Sequence, residues 1–162
     1  MMLPDTKFSA AIEVLPLVSI DLCLICDGAL LLGKPVNKPA QGYWFTPGGR
    51  IRKNEVFAEA LERISRAELG LADVLSLKPS LMGAWDHSYS DSAFLDSIST
   101  HYVNLPHSID LTVDSRGSVL QNAIERSDGQ HGDWCWMLFS EAVNHLEVHL
   151  YVQAYARFLM SN

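Results

Sequence analysis

The sequence has few cysteines, no run of basic residues and no long apolar stretch, and each shortage argues against a class of protein. Its three cysteines are an odd number and do not suggest a disulfide framework. No apolar run reaches the roughly 18 residues that a membrane-spanning helix needs. The formal net charge is −7, and no basic run is present to neutralise phosphates, so nucleic acid is not an expected partner.

The rest of the composition is typical of a folded globular chain, with 48% hydrophobic and 19% charged residues. The 162 residues predict a single domain over residues 1–162, with enough chain for a sizeable core. The first residues contain an acid and no long apolar stretch, which is a poor match to a signal peptide. We therefore expect a cytoplasmic protein.

Cys23 and Cys26 form a C-x-x-C motif, but their surroundings do not favour a redox or zinc site. They lie in an apolar stretch, residues 17–26, that predicts a β-strand. Residues three apart on a strand point to opposite faces, so the two thiols are not expected to act together. We interpret both as packed cysteines of a reduced core.

The order of predicted elements favours an α/β fold. A β-hairpin is expected to turn at Asp27-Gly28, and the clearest helix begins at residue 54 or 55 and stops at Gly70. Short helices near both ends and several further strands complete the pattern. Strands and helices mix without strict alternation, which predicts an α/β sandwich around a mixed β-sheet.

Glu68 stands on the apolar side of the clearest helix. At about 100° per residue, Glu59 and Arg63 share a charged face that is either solvated or ion-paired, whereas Glu68 falls between Phe57 and Leu61. A buried carboxylate must be paired, protonated or bound to a metal, because isolated burial costs several kcal/mol. The alternative is that the helix end frays and lets Glu68 reach water.

The spacing around Glu68 resembles the Nudix box, a glycine loop and helix whose acids and one arginine hold magnesium against a diphosphate. Gly49 is followed after five residues by Glu55, after seven more by Arg63, and then by Glu68 and Gly70. The resemblance implies a Nudix-type α/β/α sandwich and a hydrolase that uses Mg²⁺. Magnesium prefers oxygen ligands and can neutralise diphosphate charge and polarise the leaving oxygen.

Two glutamates of the usual box are absent, because Ile64 and Ala67 occupy their positions. The depleted box implies one Mg²⁺ per subunit, and it leaves the chain short of the acids that generate hydroxide to attack phosphorus. It resembles one branch of the superfamily, the GDP-mannose mannosyl hydrolases, which release GDP by inverting substitution at sugar C1. The resemblance extends through nearly the whole chain and is most specific over residues 39–50.

This resemblance implies a metal site and two catalytic groups. Mg²⁺ would be held by the Gly48 carbonyl, Glu68 and the Gln130 side chain, with diphosphate oxygens and water completing the shell. His131 would be the general base, and a histidine pKa of about 6.5 suits that role at neutral pH. Asp21 would stabilise positive charge at C1; it alternates with apolar residues on a strand, where an inward acid is unusual without a role. Without the resemblance, His131 could be only a loop histidine.

The same resemblance implies contacts to the nucleotide and a homodimer. Arg50 and Tyr102 would contact the diphosphate leaving group, although a lone strand tyrosine is more often a packed aromatic. The N-terminal segment would pack near the guanine of the partner subunit, in a swapped homodimer. The residues implied to bind the nucleotide sugar or to support its site are Met2, Leu3, Phe8, Arg50, Arg63, His87, Tyr89 and Tyr102.

Pro35 is the main departure, because it stands where the family has an arginine that contacts the diphosphate. Proline has neither charge nor donor, and losing a charge-assisted contact costs on the order of a few kcal/mol. Lys34 or Lys38 could substitute, although lysine lacks the planar fork of arginine. Three hypotheses therefore stay open: a GDP-sugar hydrolase acting on a mannose or glucose derivative, an ordinary Nudix pyrophosphohydrolase, and a degenerate nucleotide-binding module.

Overall fold

The computed structural model describes residues 5–38, 40–90, 98–127 and 131–162. None of the helices in these ranges is both long enough and apolar enough to cross a bilayer. The helices and strands in chain order are α1 (Asp5–Val14), β1 (Leu17–Cys26), β2 (Ala29–Pro35), β3 (Gly48–Arg50), α2 (Phe57–Leu69), β4 (Ser80–Leu81), β5 (Trp85–Tyr89), β6 (Thr100–Asn104), β7 (His107–Asp110), α3 (Arg116–Glu125), β8 (His131–Leu138), α4 (Phe139–Ala142) and α5 (Leu150–Ser161).

Strand β1 organises the sheet, because its two halves pair with different neighbours. The first half runs antiparallel to β3 and parallel to β6, and the second half runs antiparallel to β2 and parallel to β7. Strands β8, β5 and β4 extend the sheet antiparallel to β2, β6 and β7. The sheet is therefore mixed, and the predicted fold class is confirmed.

Helices cover both faces of the sheet, which explains why β1 is apolar almost throughout. On one face, Ile20, Leu22 and Leu24 pack in a core with α2 and α3. On the other face, Cys23 packs in a core with α5, so the expected packing of this cysteine is confirmed. Alternation along the strand thus sorts neighbouring side chains into two cores.

The predicted hairpin between β1 and β2 is present. Asp27 and Gly28 both have positive φ, of 49° and 70°. This is the geometry of a type I′ turn, whose twist matches that of the strands it joins. The turn brings Cys26 opposite Ala29 and so fixes the register of β2 against β1.

Helix α2 ends where the sequence predicts, but it begins two or three residues later, at Phe57. Gly70 adopts a left-handed conformation, with φ of 65°, and its N–H donates to the Arg66 carbonyl. At the other end, the Glu59 carboxylate accepts the N–H of Val56, which precedes the first helical residue. Glu59 therefore supports the start of the helix, and it does not pair with Arg63, four residues later.

Arg63 pairs instead with Glu55, a residue just before the helix. Its Nε and Nη2 donate to the two carboxylate oxygens of Glu55 at 2.5 and 2.8 Å. This two-point bond is the first cause that lowers the pKa of Glu55 to about 2. Helical spacing alone cannot reveal this pairing, because it depends on how the segment before α2 folds back along the helix.

Candidate active site

A cavity of about 400 Å³ opens beside strand β3 and the C-terminal end of α2. Its lining comes from elements that are distant in sequence but adjacent in the sheet, chiefly β1, β3, β5 and β6. The structure brings together seven of the residues predicted for the site: Asp21, Gly48, Arg50, Glu68, His87, Tyr89 and Tyr102.

Asp21 lies in the middle of β1 and is only 5% exposed. The Tyr155 hydroxyl lies 2.7 Å from its Oδ2 and donates to it. Burial raises the pKa of Asp21 from 3.8 to about 6, although the bond from Tyr155 opposes the shift. An acid held in a cavity against such a desolvation cost is a candidate for function.

Gly48 allows β3 to approach Asp21 closely. It pairs with Asp21 across the two strands, and a Cβ atom on it would lie 2.5 Å from the Ile20 carbonyl oxygen and 2.6 Å from Asp21 Oδ1. Because real Cβ contacts are not that short, any other residue would push the two strands apart. The glycine therefore keeps its own backbone against the carboxylate at the edge of the cavity.

Glu68 lines the cavity from the last turn of α2, and its burial raises its pKa from 4.5 to about 7. The helix continues regularly to Leu69, so fraying does not account for the position of Glu68. One turn earlier, Ile64 is 1% exposed and packs on Gly49, where an added Cβ would lie 3.3 Å from Ile64 Cγ1. Ala67 is exposed and lines a different pocket.

Glu68 offers a carboxylate that could share a magnesium ion with a phosphate ligand. Among the residues that the structure describes, no group of three or more His, Cys, Asp or Glu side chains is arranged to hold a metal. Magnesium, however, commonly takes one or two carboxylates and completes its shell with substrate phosphates and water. Glu68 and Gly48 line the same cavity, and one carboxylate with one backbone carbonyl matches that donor set.

Arg50 connects the cavity to the N-terminal helix. Its guanidinium carbon lies 3.6 Å from the centroid of the Phe8 ring, a cation–π contact within one chain. Arg63 does not line the cavity. Its Nη2 donates to the Arg50 carbonyl at 2.9 Å, so it acts on the site by holding the backbone of Arg50.

Pro35 and Lys38 both line the cavity, whereas Lys34 is engaged elsewhere. The Lys34 ammonium forms an ion pair with Glu147 at 3.1 Å. Of the two lysines that could replace the family arginine, Lys38 is therefore the one at the cavity. The register of β2 and β8 also places Pro35 opposite His131, which brings the backbone of His131 to this edge of the site.

Four predicted residues are incompletely covered by the structure. Met2, Leu3 and Gln130 lie outside the described residues. The backbone of His131 begins β8, but its side chain lies outside the description. The roles expected for these four residues remain predictions.

Behind His87, which was predicted for the site, lie Tyr151 and Tyr155, which were not. His87 is 1% exposed and stacks on Tyr151, with 3.8 Å between ring centroids and 7° between planes. Burial lowers the pKa of His87 to about 4, so the ring is neutral at physiological pH. Tyr155 and Tyr151 come from α5, where they follow the amphipathic pattern of ordinary core positions, and no local sequence signal distinguished them.

Most of the chain matches a family model and a relative of known name. A family model for the NUDIX domain matches residues 16–158. The low-salt glycan biosynthesis protein Agl8 of Haloferax volcanii is 36% identical over 113 residues, which cover 70% of each protein.

Solved structures with the same architecture share little sequence. The MutT NUDIX hydrolase of Burkholderia pseudomallei has a TM-score of 0.64 at 19% identity, over 89% of this chain and 98% of that one. The NUDIX domain of Shewanella oneidensis NrtR, complexed with ADP ribose, has a TM-score of 0.60 at 15% identity, over 98% and 99%. At these identities the likeness shows the fold alone.

The burial of Asp21 predicts a pH-dependent cost in stability. Its pKa is raised in the folded state, so the folded protein binds this proton more tightly, and stability is lost as pH rises from about 4 to about 6. Asp21→Asn should remove that cost. The difference in the free energy of unfolding between the variant and the wild type should therefore become more favourable to the variant, by on the order of 3 kcal/mol, between pH 4 and a pH above 6.

Urea denaturation of both proteins between pH 4 and pH 7 measures this difference. Asp110→Asn is the matched control, because Asp110 is an exposed carboxylate at the end of β7. If the difference in the free energy of unfolding between Asp21→Asn and the wild type does not change with pH, the pKa of Asp21 is not raised by folding.

Proposed function

The chain belongs to the Nudix hydrolases, and on that premise we propose that it hydrolyses a GDP-sugar to GDP and free sugar by inverting substitution at sugar C1. GDP-mannose is the first candidate substrate and GDP-glucose the second. One observation carries the proposal: Ile64 is buried against Gly49 and Ala67 lies outside the cavity, so these two box positions supply no acid to the site.

The number of carboxylates bears on which bond breaks. In an ordinary Nudix hydrolase, several acids and metal ions together generate the hydroxide that attacks phosphorus. Here α2 presents Glu68 to the cavity, while the other buried carboxylate at the cavity, Asp21, comes from β1. This arrangement suits a site that binds the diphosphate as a leaving group and stabilises charge on the sugar.

The leaving group is held by residues around β3 and α2. Glu68, the Gly48 carbonyl and Gln130 would hold one Mg²⁺ per subunit, which when bound neutralises the diphosphate charge and polarises the leaving oxygen. Arg50 faces the same cavity and supplies a positive charge for the diphosphate. Lys38 adds a second cation on the side where the family arginine is replaced by Pro35.

The sugar end of the site needs a base and a stabilising charge. Asp21 supplies a carboxylate that stabilises positive charge at C1. His131 is proposed as the base that takes a proton from water, and its backbone position opposite Pro35 supports that role. Water that attacks opposite the leaving GDP, without a covalent sugar–enzyme intermediate, inverts the anomeric configuration.

The names of related proteins agree with a nucleotide sugar as the substrate class. The Haloferax relative is called a glycan biosynthesis protein, and the Shewanella domain is complexed with ADP ribose. Both names involve a sugar, and ADP ribose carries it on a nucleoside diphosphate. The Haloferax name supports a ligand that contains a sugar, the Shewanella domain shows only that this fold can bind such a ligand, and the choice of GDP-mannose comes from the resemblance in sequence.

The products formed from GDP-mannose and GDP-glucose with Mg²⁺ test the proposal directly. Chromatography should find GDP and free sugar, because the bond to C1 is the one broken. GMP and a sugar phosphate would instead establish a Nudix pyrophosphohydrolase. No turnover on a broad panel of nucleoside diphosphate derivatives would favour a binding module.

Glu68→Gln should lower activity sharply and weaken Mg²⁺ binding, because it replaces the carboxylate of α2 by a neutral amide of the same shape. Calorimetric titration of Mg²⁺ in the presence of GDP measures the binding without turnover. Glu62→Gln on another face of α2 is the control, since Glu62 does not line the cavity. Unchanged Mg²⁺ affinity in Glu68→Gln would remove Glu68 from the metal site.

We also propose a homodimer in which each N-terminal segment closes the nucleotide site of the partner. In the single chain, Phe8 lies over Arg50, a residue proposed to contact the diphosphate, and in the proposed dimer the same contact would form between subunits. Val14 and Leu15, at the end of α1, are 73% and 60% exposed and offer apolar surface for a partner.

Deleting residues 1–8 should raise KM for the nucleotide sugar and leave the fold intact. The deletion variant keeps an intact cavity, whereas an inactive Asp21→Asn subunit keeps an intact N-terminal segment. Mixing the two tests whether the segment of one subunit closes the cavity of the other or only that of its own chain. A swapped dimer recovers the low KM, because an intact N-terminal segment from one subunit closes the intact cavity of the other. No recovery, or a fully active monomer by light scattering, would refute the swap.

A further inference from the structure

A chain of hydrogen bonds behind the cavity joins Asp21 to His87 through a residue that does not line the cavity. Tyr155 of α5 is fully buried, and its hydroxyl oxygen lies 2.7 Å from Asp21 Oδ2 and 3.0 Å from His87 Nε2. The Asn104 side-chain oxygen is 3.2 Å away. One hydroxyl group from the last helix therefore links two cavity side chains on different strands.

The chemistry of these groups fixes the direction of the bonds. Tyr155 has one hydroxyl proton, and an ionised carboxylate can only accept. Asp21 Oδ2 and Asn104 Oδ1 can both accept that proton, and the shorter bond, to the charged carboxylate of Asp21, takes it. The lone pairs left on the Tyr155 oxygen then face His87 Nε2, and a lone pair on that nitrogen would repel them. Nε2 must accordingly carry a proton and donate it to Tyr155.

A neutral imidazole has one N–H, so this assignment also determines the other ring nitrogen. His87 is 1% exposed, and burial keeps it neutral by lowering its pKa. Its proton is on Nε2, and Nδ1 is left as a hydrogen-bond acceptor. The parallel stack on Tyr151 and the edge contact with Phe45 hold the ring in place.

We propose that Tyr155 is a positioning residue that holds His87 in the Nε2-protonated tautomer, so that His87 Nδ1 accepts a hydrogen bond from a hydroxyl of the sugar bound in the cavity. The sugar in this statement rests on the proposed function; the tautomer does not. The device selects a chemical class of ligand. A sugar hydroxyl can donate to Nδ1, whereas a phosphate oxygen placed there would set one acceptor against another.

The nitrogen-15 spectrum of the wild-type protein decides the tautomer without any substrate. In a two-dimensional spectrum of labelled histidine side chains, Nε2 of His87 should have the shift of a protonated nitrogen and Nδ1 that of an unprotonated one. The difference from His87→Gln assigns the signals. A proton on Nδ1 in the wild-type protein would overturn the proposal, and this result does not depend on any variant of Tyr155.

Tyr155→Phe tests whether the hydroxyl sets the tautomer. It removes the hydroxyl oxygen but retains the ring, whose centroid lies 5.1 Å from that of Trp85. We expect a mixture of the two tautomers, because Nε2 loses its partner. Tyr151→Phe is the matched control on the same helix: its hydroxyl bonds to the backbone of Ser88, and its ring stacks on His87. The control should keep the wild-type tautomer, and an unchanged tautomer in Tyr155→Phe would contradict the positioning role.

Binding measurements then separate the ligand class from the proposed reaction. Tyr155→Phe should weaken GDP-mannose binding by roughly two- to tenfold, the worth of one hydrogen bond, and leave the Kd for GDP unchanged. An equal loss for both ligands would show that His87 does not meet the sugar. The wild-type protein could show the expected tautomer and bind GDP, but bind GDP-mannose no more tightly than GDP. In that case the proposed sugar substrate fails, while the role of Tyr155 in setting the tautomer stands.

Discussion

The close approach of β3 to β1 is the constraint on which the rest of the site depends. It requires glycine at position 48, because a side chain there would collide with the Ile20 carbonyl and with Asp21. The same approach packs Gly49 against Ile64, which seats α2 on the sheet. Seating α2 in this way carries Glu68 to the cavity. Two glycines thus place a carboxylate of the sheet and a carboxylate of the helix around one cavity.

The site has a cost that the fold must offset. Asp21 and Glu68 both lose hydration, and burial raises the pKa of each toward neutrality. Tyr155 offsets part of this cost at Asp21 by donating a hydrogen bond to the carboxylate. Ile64, in contrast, adds apolar packing where the usual box has an acid. Position 64 therefore contributes to the core between helix and sheet and supplies no carboxylate to the cavity.

Much of this arrangement could be predicted from the sequence, because it depends on local periodicity and local turns. The hairpin at Asp27-Gly28 and the end of α2 at Gly70 are examples, and helical spacing alone put Glu68 on the apolar side.

The pairing of Arg63 with Glu55 could not be predicted, since it depends on how the chain folds back before the helix. Neither could Tyr155: its sequence position looks like a core position, and its partners lie on strands far away in sequence.

The central claim is that water attacks carbon and not phosphorus, and the fate of the water oxygen tests it most directly. Hydrolysis of GDP-mannose in ¹⁸O-labelled water, followed by mass spectrometry of both products, locates that atom. Attack at C1 predicts the label in the sugar and none in GDP. Label in a phosphate group would mean that phosphorus is attacked in spite of Ile64 and Ala67, and it would contradict the account.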